Sequence, residues 1–214
     1  MPLPLPCLML VTDRALCRDA EALVAAVEAA VAGGANAVQL REKDLADAEM
    51  LALARRLREV TQGRALLIVN GPLNVALAVG ADGVHLPEDA ALVRRPRQGF
   101  LMGRSVHSLE AARRAEAEGL DYLVAGPVYG TRSHPGAGPA GPGLIEEITW
   151  AVEVPVLAIG GVTAERVGEV LEAGAAGVAA ISAVLGAPEP RAAARYLRDA
   201  LEAAWAGVGG AVRR

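Results

Sequence analysis

Short apolar runs alternate along this chain with apolar residues spaced at helical intervals. Leu8 to Val11, Leu66 to Val69, Leu101 to Gly103 and Val156 to Ile159 are continuous apolar or small runs. Such runs fit parallel strands covered on both faces better than strands with one wet face. Between them, Leu23, Val27 and Val31 recur at four-residue steps, and Val167, Val170 and Leu171 follow Thr163 as a cap. Tyr196, Leu197, Leu201 and Trp205 mark a last amphipathic helix that begins near Pro188.

Four more strands are announced by a recurring joint. A Gly closes a helix, a small or apolar residue and an Asn, Asp or Ala follow, and an apolar run begins. The joints are Gly34-Ala35-Asn36-Ala37-Val38, Gly80-Ala81-Asp82-Gly83-Val84, Gly119-Leu120-Asp121-Tyr122-Leu123 and Gly174-Ala175-Ala176-Gly177-Val178. Glycine accepts the left-handed conformation that ends a helix, so the chain can reverse into a buried strand within a few residues. Counting gives eight βα units. With right-handed crossovers they predict an α/β fold, a single (β/α)8 TIM barrel spanning residues 1–214. An open doubly wound sheet is the alternative, disfavoured because no GxGxxG follows the first strand.

Composition narrows the function. The chain has 214 residues, 53% hydrophobic, enough for one sizeable core. Its formal net charge is -4, its basic residues are interspersed with acidic ones, and only 3% of residues are aromatic, which argues against a nucleic-acid partner. Tyr129 is the one aromatic expected near a site. No apolar run approaches the roughly 20 residues that cross a bilayer, and the start lacks a signal-peptide layout, so no membrane partner and a cytoplasmic location are expected. Cys7 and Cys17 form no CxxC pair and are read as structural. A homodimer is the expected assembly.

In a barrel of this kind, ligands bind where the strands end. Gln39, Arg41 and Lys43 alternate after the second strand and are expected to point into the mouth, with Leu40 facing the helices. Arg41 and Lys43 could hold an anion, or Arg41 could pair with Glu42 or Asp13. Asn70 ends the third strand, and Ser105 and His107 alternate at the fifth. Gly160 and Gly161 after the seventh strand, with Ser182 after the eighth, suit a phosphate cradle at a helix start. His134 lies in a stretch rich in Pro and Gly, residues 132–143, a candidate lid.

Taken in order, these pieces resemble the thiamine phosphate synthase superfamily along nearly the whole chain. The matching segments are Val38-Gln39-Leu40-Arg41-Glu42-Lys43, Ala81-Asp82-Gly83-Val84-His85-Leu86, Gly103-Arg104-Ser105-Val106-His107-Ser108, Asp121-Tyr122 with Gly126-Pro127-Val128-Tyr129, Thr131, Ile159-Gly160-Gly161 and Ile181-Ser182. The resemblance implies one of two activities. A synthase joins a pyrimidine diphosphate to a thiazole phosphate with Mg²⁺, whereas a thiazole tautomerase of the TenI-like branch aromatises a phosphorylated carboxythiazole by proton transfer.

Three departures from the synthase pattern favour the tautomerase, an isomerase. Gly71 stands where the synthases have a metal-binding Asp after Asn70, the stretch from His85 to Asp89 is shortened, and His134 replaces a Lys. The expectation is therefore no cofactor, with Mg²⁺, approached by Asp89, needed only by a synthase. The catalytic base would be His134 first and His107 second, because Pro127 stands where the tautomerase has its His. Gln39, Arg41, Lys43, Asn70, Ser105, Thr131, Gly160, Gly161 and Ser182 would bind a small phosphorylated thiazole. A thiamine phosphate synthase is the alternative, and a non-catalytic or regulatory thiazole-phosphate binder the second.

Overall fold

A computed structural model describes residues 2–131 and 138–209. Eight parallel strands close in sequential order: β1 (Cys7–Val11), β2 (Ala37–Leu40), β3 (Leu66–Asn70), β4 (Gly83–Leu86), β5 (Leu101–Val106), β6 (Tyr122–Ala125), β7 (Val156–Ile159) and β8 (Gly177–Ala180). β8 pairs with β1, so the sheet has no edge. Closure excludes the open doubly wound alternative. The helices outside are α1 (Ala20–Ala32), α2 (Asp47–Thr61), α3 (Leu73–Ala78), α4 (Leu109–Ala117), α5 (Pro142–Thr149), α6 (Val167–Glu172), α7 (Ser182–Leu185) and α8 (Pro190–Gly207). None is long and apolar enough to cross a membrane among the described residues.

The expected alternation holds with one exception. β4 reaches β5 through residues 87–100, which contain no helix. Pro87 and Pro96 each withhold a backbone donor within this polar stretch. Arg95 ties the connection down instead, donating to Asp121 at 2.7 Å, to the Gly119 carbonyl at 2.9 Å and to the Phe100 carbonyl.

Alternation along the strands sorts side chains into two shells. Leu8, Leu10, Val38, Leu40, Leu67 and Val69 face outward to the helices, where Leu23, Val27, Val31, Val167, Val170 and Leu171 meet them. Cys7, Met9, Ala37, Leu66, Ile68, Tyr122 and Leu157 fill the barrel. On α8 the sorting corrects one reading, because Leu197 and Leu201 are buried while Tyr196 faces solvent and donates to Glu165.

The repeated joint has a second purpose besides its glycine. Gly34, Gly80, Gly119 and Gly174 all take positive φ, as a left-handed helix end requires. In three joints the following polar residue then caps the foot of the neighbouring strand. Asn36 accepts from Leu8 N at 2.9 Å, Asp82 from Leu67 N at 2.8 Å and Asp121 from Met102 N at 2.7 Å. These residues precede β2, β4 and β6. Before β8 the residue is Ala176, where backbone alone closes the foot through Ala176 N to Val156 O and Cys7 N to Ala176 O.

Asp82 also holds Arg58 at 2.8 Å, so its carboxylate serves two donors in a half-buried position. Asp82→Ala should therefore destabilise the fold by about 3 kcal/mol, and Asp82→Asn, which keeps the acceptor, by about 1 kcal/mol, as measured by urea unfolding. Equal losses for the two variants would show that the strand-foot hydrogen bond contributes little.

Candidate active site

The uppermost inward position of each strand forms the floor of one cavity of about 490 Å³. Going round the barrel, these residues are Val11, Gln39, Asn70, His85, Ser105, Val124, Ile159 and Ala179, one from each strand. The floor is divided. Strands β2 to β5 contribute Gln39, Asn70, His85 and Ser105, a polar arc, and strands β6 to β1 contribute an apolar one.

Hydrogen bonds hold the polar arc in place. Asn70 Nδ2 donates to Gln39 Oε1 at 3.1 Å, and His85 bridges Tyr122 Oη at 3.1 Å and Ser105 Oγ at 2.9 Å. His85 is 1% exposed. Burial, followed by the charges of Arg41 and Arg104, pushes its pKa down to about 3, so the ring is neutral at working pH.

Above this arc the backbone leaves β2, and Arg41 and Lys43 line the wall as the alternation predicts. Neither forms an ion pair among the described residues. Glu42 does not pair with Arg41. It turns back to the β1–α1 turn, where it accepts from Arg14 N at 3.1 Å and from the Thr12 hydroxyl. Thr12 Oγ1 in turn accepts from Arg41 N at 2.9 Å, which seats the start of this segment. Arg104 is also excluded from the mouth, being buried outside the barrel against Glu118 at 2.7 Å.

Above the apolar arc, Gly160 and Gly161 both take positive φ, +96° and +63°. A Cβ on Gly160 would come within 2.7 Å of Pro127 Cα, and one on Gly161 within 2.6 Å of the Gly130 carbonyl. Only glycine fits this doubled turn. The helix start expected here is displaced: a 3-10 turn over Ala164–Arg166 comes first, and α6 begins at Val167. Thr163 makes no side-chain cap and its hydroxyl goes to Glu165. Ser182 opens the single turn of α7 and lines the same side of the cavity, as do Ile181 and Ala183. Tyr129 stands behind the glycines, bonded to Glu169 and stacked under Arg166, rather than in the cavity wall.

Gln39, Arg41, Lys43, Asn70, Ser105, Thr131, Gly160, Gly161 and Ser182 thus converge on one cavity. His107 also lines this cavity, half-exposed, with Nδ1 held by Glu88 at 2.8 Å. His134 and half of the candidate lid, residues 132–137, lie outside the described residues. Sequence reasoning gave no binding or catalytic role to His85, Glu88 or the apolar arc, although the period of two that located Gln39 and Ser105 also marks His85, Val124 and Ile159.

The described residues form no ready-made cage for a Mg²⁺ ion. Among the described residues no group of three or more His, Cys, Asp and Glu side chains could hold a metal. Gly71 offers no ligand, Asp89 is exposed and off the cavity wall, and Glu88 is engaged by His107.

The depressed His85 pKa makes a stability prediction. An unfolded chain binds a proton at His85 near pH 6.5 and the folded one only near pH 3, so this contribution is complete above about pH 6.5 and is lost progressively as pH falls toward 3. Between pH 7 and pH 5 the loss should be about 2 kcal/mol. His85→Gln should remove that part of the pH dependence in urea unfolding, and an unchanged slope would place the proton elsewhere.

Comparison with known proteins supplies what geometry cannot. Residues 8–184 match the family described as thiamine monophosphate synthase. The thiamine-phosphate synthase of Methanoculleus marisnigri is 49% identical over 181 residues, covering 82% of this chain and 86% of that protein. That of Roseiflexus castenholzii is 44% identical over 210 residues, covering 92% and 91%. The structure of thiamine phosphate pyrophosphorylase from Pyrococcus furiosus superposes with a TM-score of 0.83 at 38% identity, over 92% of this chain and 96% of that one.

These relatives overturn the isomerase expectation. They carry the synthase name, so the tautomerase reading gives way to the transferase alternative. That reading had weighed the losses at Gly71 and His134 above the intact remainder, with His134 as its first candidate base and His107 as its second. The match across residues 8–184 and the close relatives together show that the chain belongs to the thiamine monophosphate synthase family.

Proposed function

We propose that this chain is a thiamine-phosphate synthase, a transferase that joins hydroxymethylpyrimidine diphosphate to a thiazole phosphate. The observation that carries the reading is the two-sided cavity. One side has Arg41 and Lys43 above a polar arc, and the other has a glycine turn and Ser182 above an apolar one. A single cavity with two anion-binding sides suits two phosphorylated substrates meeting between them.

The coupling is a substitution at carbon. The thiazole nitrogen gives its electron pair to the pyrimidine methylene, a C–N bond forms, the C–O bond breaks, and its electron pair leaves with diphosphate. Charge develops on the leaving group, so Arg41 and Lys43 assist by stabilising it electrostatically in a site that needs little reorganisation. Gln39, Asn70, Ser105 and Thr131 supply hydrogen bonds that orient the diphosphate substrate. Gly160, Gly161 and Ser182 offer the thiazole's phosphate close approach to the backbone. The apolar arc gives a flat ring a dry surface. No proton is abstracted in forming the bond, which agrees with a floor whose histidine is neutral and already bonded on both nitrogens.

A divalent ion would come as the companion of the diphosphate, since Mg²⁺ commonly keeps several waters and binds through one or two carboxylates plus substrate phosphates.

The purified protein, given both substrates and Mg²⁺, should form thiamine phosphate, read by thiochrome fluorescence. No product at saturating substrate would sink the assignment. Arg41→Met should raise KM for the pyrimidine diphosphate about tenfold to hundredfold and leave KM for thiazole phosphate nearly unchanged. Ser182→Ala should do the reverse by a smaller factor of about three to ten.

A further inference from the structure

Beneath Ser105 the cavity floor rests on two buried polar residues, Tyr122 and His85, that the coupling chemistry does not use. Tyr122 points into the barrel from β6 and is wholly buried. Its ring has room because its pairing partner on β5 is Gly103, where a Cβ would run into the ring. Tyr122 Oη lies 3.1 Å from His85 Nδ1, and His85 Nε2 lies 2.9 Å from Ser105 Oγ. Ser105 faces the cavity. Three side chains from β4, β5 and β6 thus lead from the barrel interior to the ligand surface.

The chain has a direction. A phenol is a better donor than acceptor, and the buried Tyr122 hydroxyl has His85 Nδ1 as its partner. If Nδ1 carried the proton, the phenolic O–H would be left without an acceptor in the interior, at a cost of about 1–3 kcal/mol. Tyr122 therefore donates to Nδ1, and a neutral imidazole must then carry its proton on Nε2. Nε2–H donates to Ser105 Oγ, and the serine's own proton is left to point into the cavity. The opposite arrangement would turn that proton onto His85 and present lone pairs to the ligand. For an anionic ligand the difference is between attraction and repulsion.

We infer that Tyr122 and His85 are positioning residues that hold Ser105 as a hydrogen-bond donor to an oxyanion of the diphosphate-bearing substrate. The inference rests on the reading of this cavity as a site for phosphorylated substrates. Its physical advantage is preorganisation: the donor is aimed before the anion arrives, so no hydroxyl need rotate as charge develops. A buried histidine that stays neutral down to about pH 3 also keeps that direction at neutral pH.

Two measurements test it on the intact protein. Nitrogen-15 NMR of the ring, assigned against His85→Gln among the chain's three histidines, should report the Nε2–H tautomer from pH 5.5 to 8.5. Affinity for inorganic diphosphate, measured by calorimetry, supplies a double-mutant cycle. Tyr122→Phe and Ser105→Ala should each weaken binding about fivefold to tenfold, and the double variant should bind like Ser105→Ala alone, because Tyr122 acts only through that serine. A merely structural tyrosine would cost the same factor in both backgrounds. Protonation on Nδ1, absence of diphosphate binding by the wild type, or an undiminished Tyr122→Phe effect in the Ser105→Ala background overturns the inference. Should Tyr122→Phe fail to fold, the wild-type tautomer decides the matter by itself. If the wild type binds diphosphate and the cycle closes but no thiamine phosphate is formed, the inference stands and the proposed activity fails.

Discussion

Closure of the parallel sheet is the constraint on which the rest of this molecule depends. A sheet with no edge must turn every second side chain of each strand into a space shared with seven other strands. Below the mouth that space is filled with small and apolar groups such as Cys7, Ala37 and Leu157. At the mouth the same alternation brings eight side chains from eight separated segments into one ring. The cavity is thus a consequence of the register and not an addition to the fold. Its polar and apolar halves follow from which residues happen to occupy the last inward position of each strand.

Closure also needs each strand to start at the right height, and the joints before the even strands meet that need. Asn36, Asp82 and Asp121 take a backbone donor of the neighbouring strand, so the helix ending and the strand foot are fixed by the same few residues. A shift of one residue would exchange inward and outward faces and move Gln39 or Ser105 into the helical layer. Bottom and top of the barrel are linked in this sense: hydrogen bonds far from the cavity determine which side chains reach it.

The site itself shows how a rigid frame divides labour among polar groups. Inside the barrel, Asn70, Gln39, Tyr122, His85 and Ser105 are bonded to one another, as buried polar groups must be. Above it, Arg41 and Lys43 are left without ion pairs among the described residues because Glu42 is directed to Arg14 and Thr12. On the other side, glycine is required twice in succession by the approach of the Pro127 and Gly130 segments. Cations free of ion pairs among the described residues and a backbone stripped of side chains are both suited to anions, by different means. The family match and the division of the cavity therefore support each other without resting on the same observation.

Much of this was legible in the residues alone, where the signal is local. Apolar runs, the Gly-x-Asn/Asp joints and the period of two at strand ends were enough for the eight-stranded barrel and for the polar and glycine parts of the cavity wall, since each depends on residues a few positions apart. What sequence alone misjudged depended on distant partners. The helix missing between β4 and β5 and the outward turn of Tyr196 depend on Arg95 and Glu165 meeting residues far away in the chain. The weight given to Gly71 and His134 had the same weakness, because a local departure says little about a site assembled from eight strands. Local geometry is written in neighbouring residues, whereas the direction of a buried hydrogen bond, such as that from Tyr122 through His85 to Ser105, exists only once closure has brought three strands together.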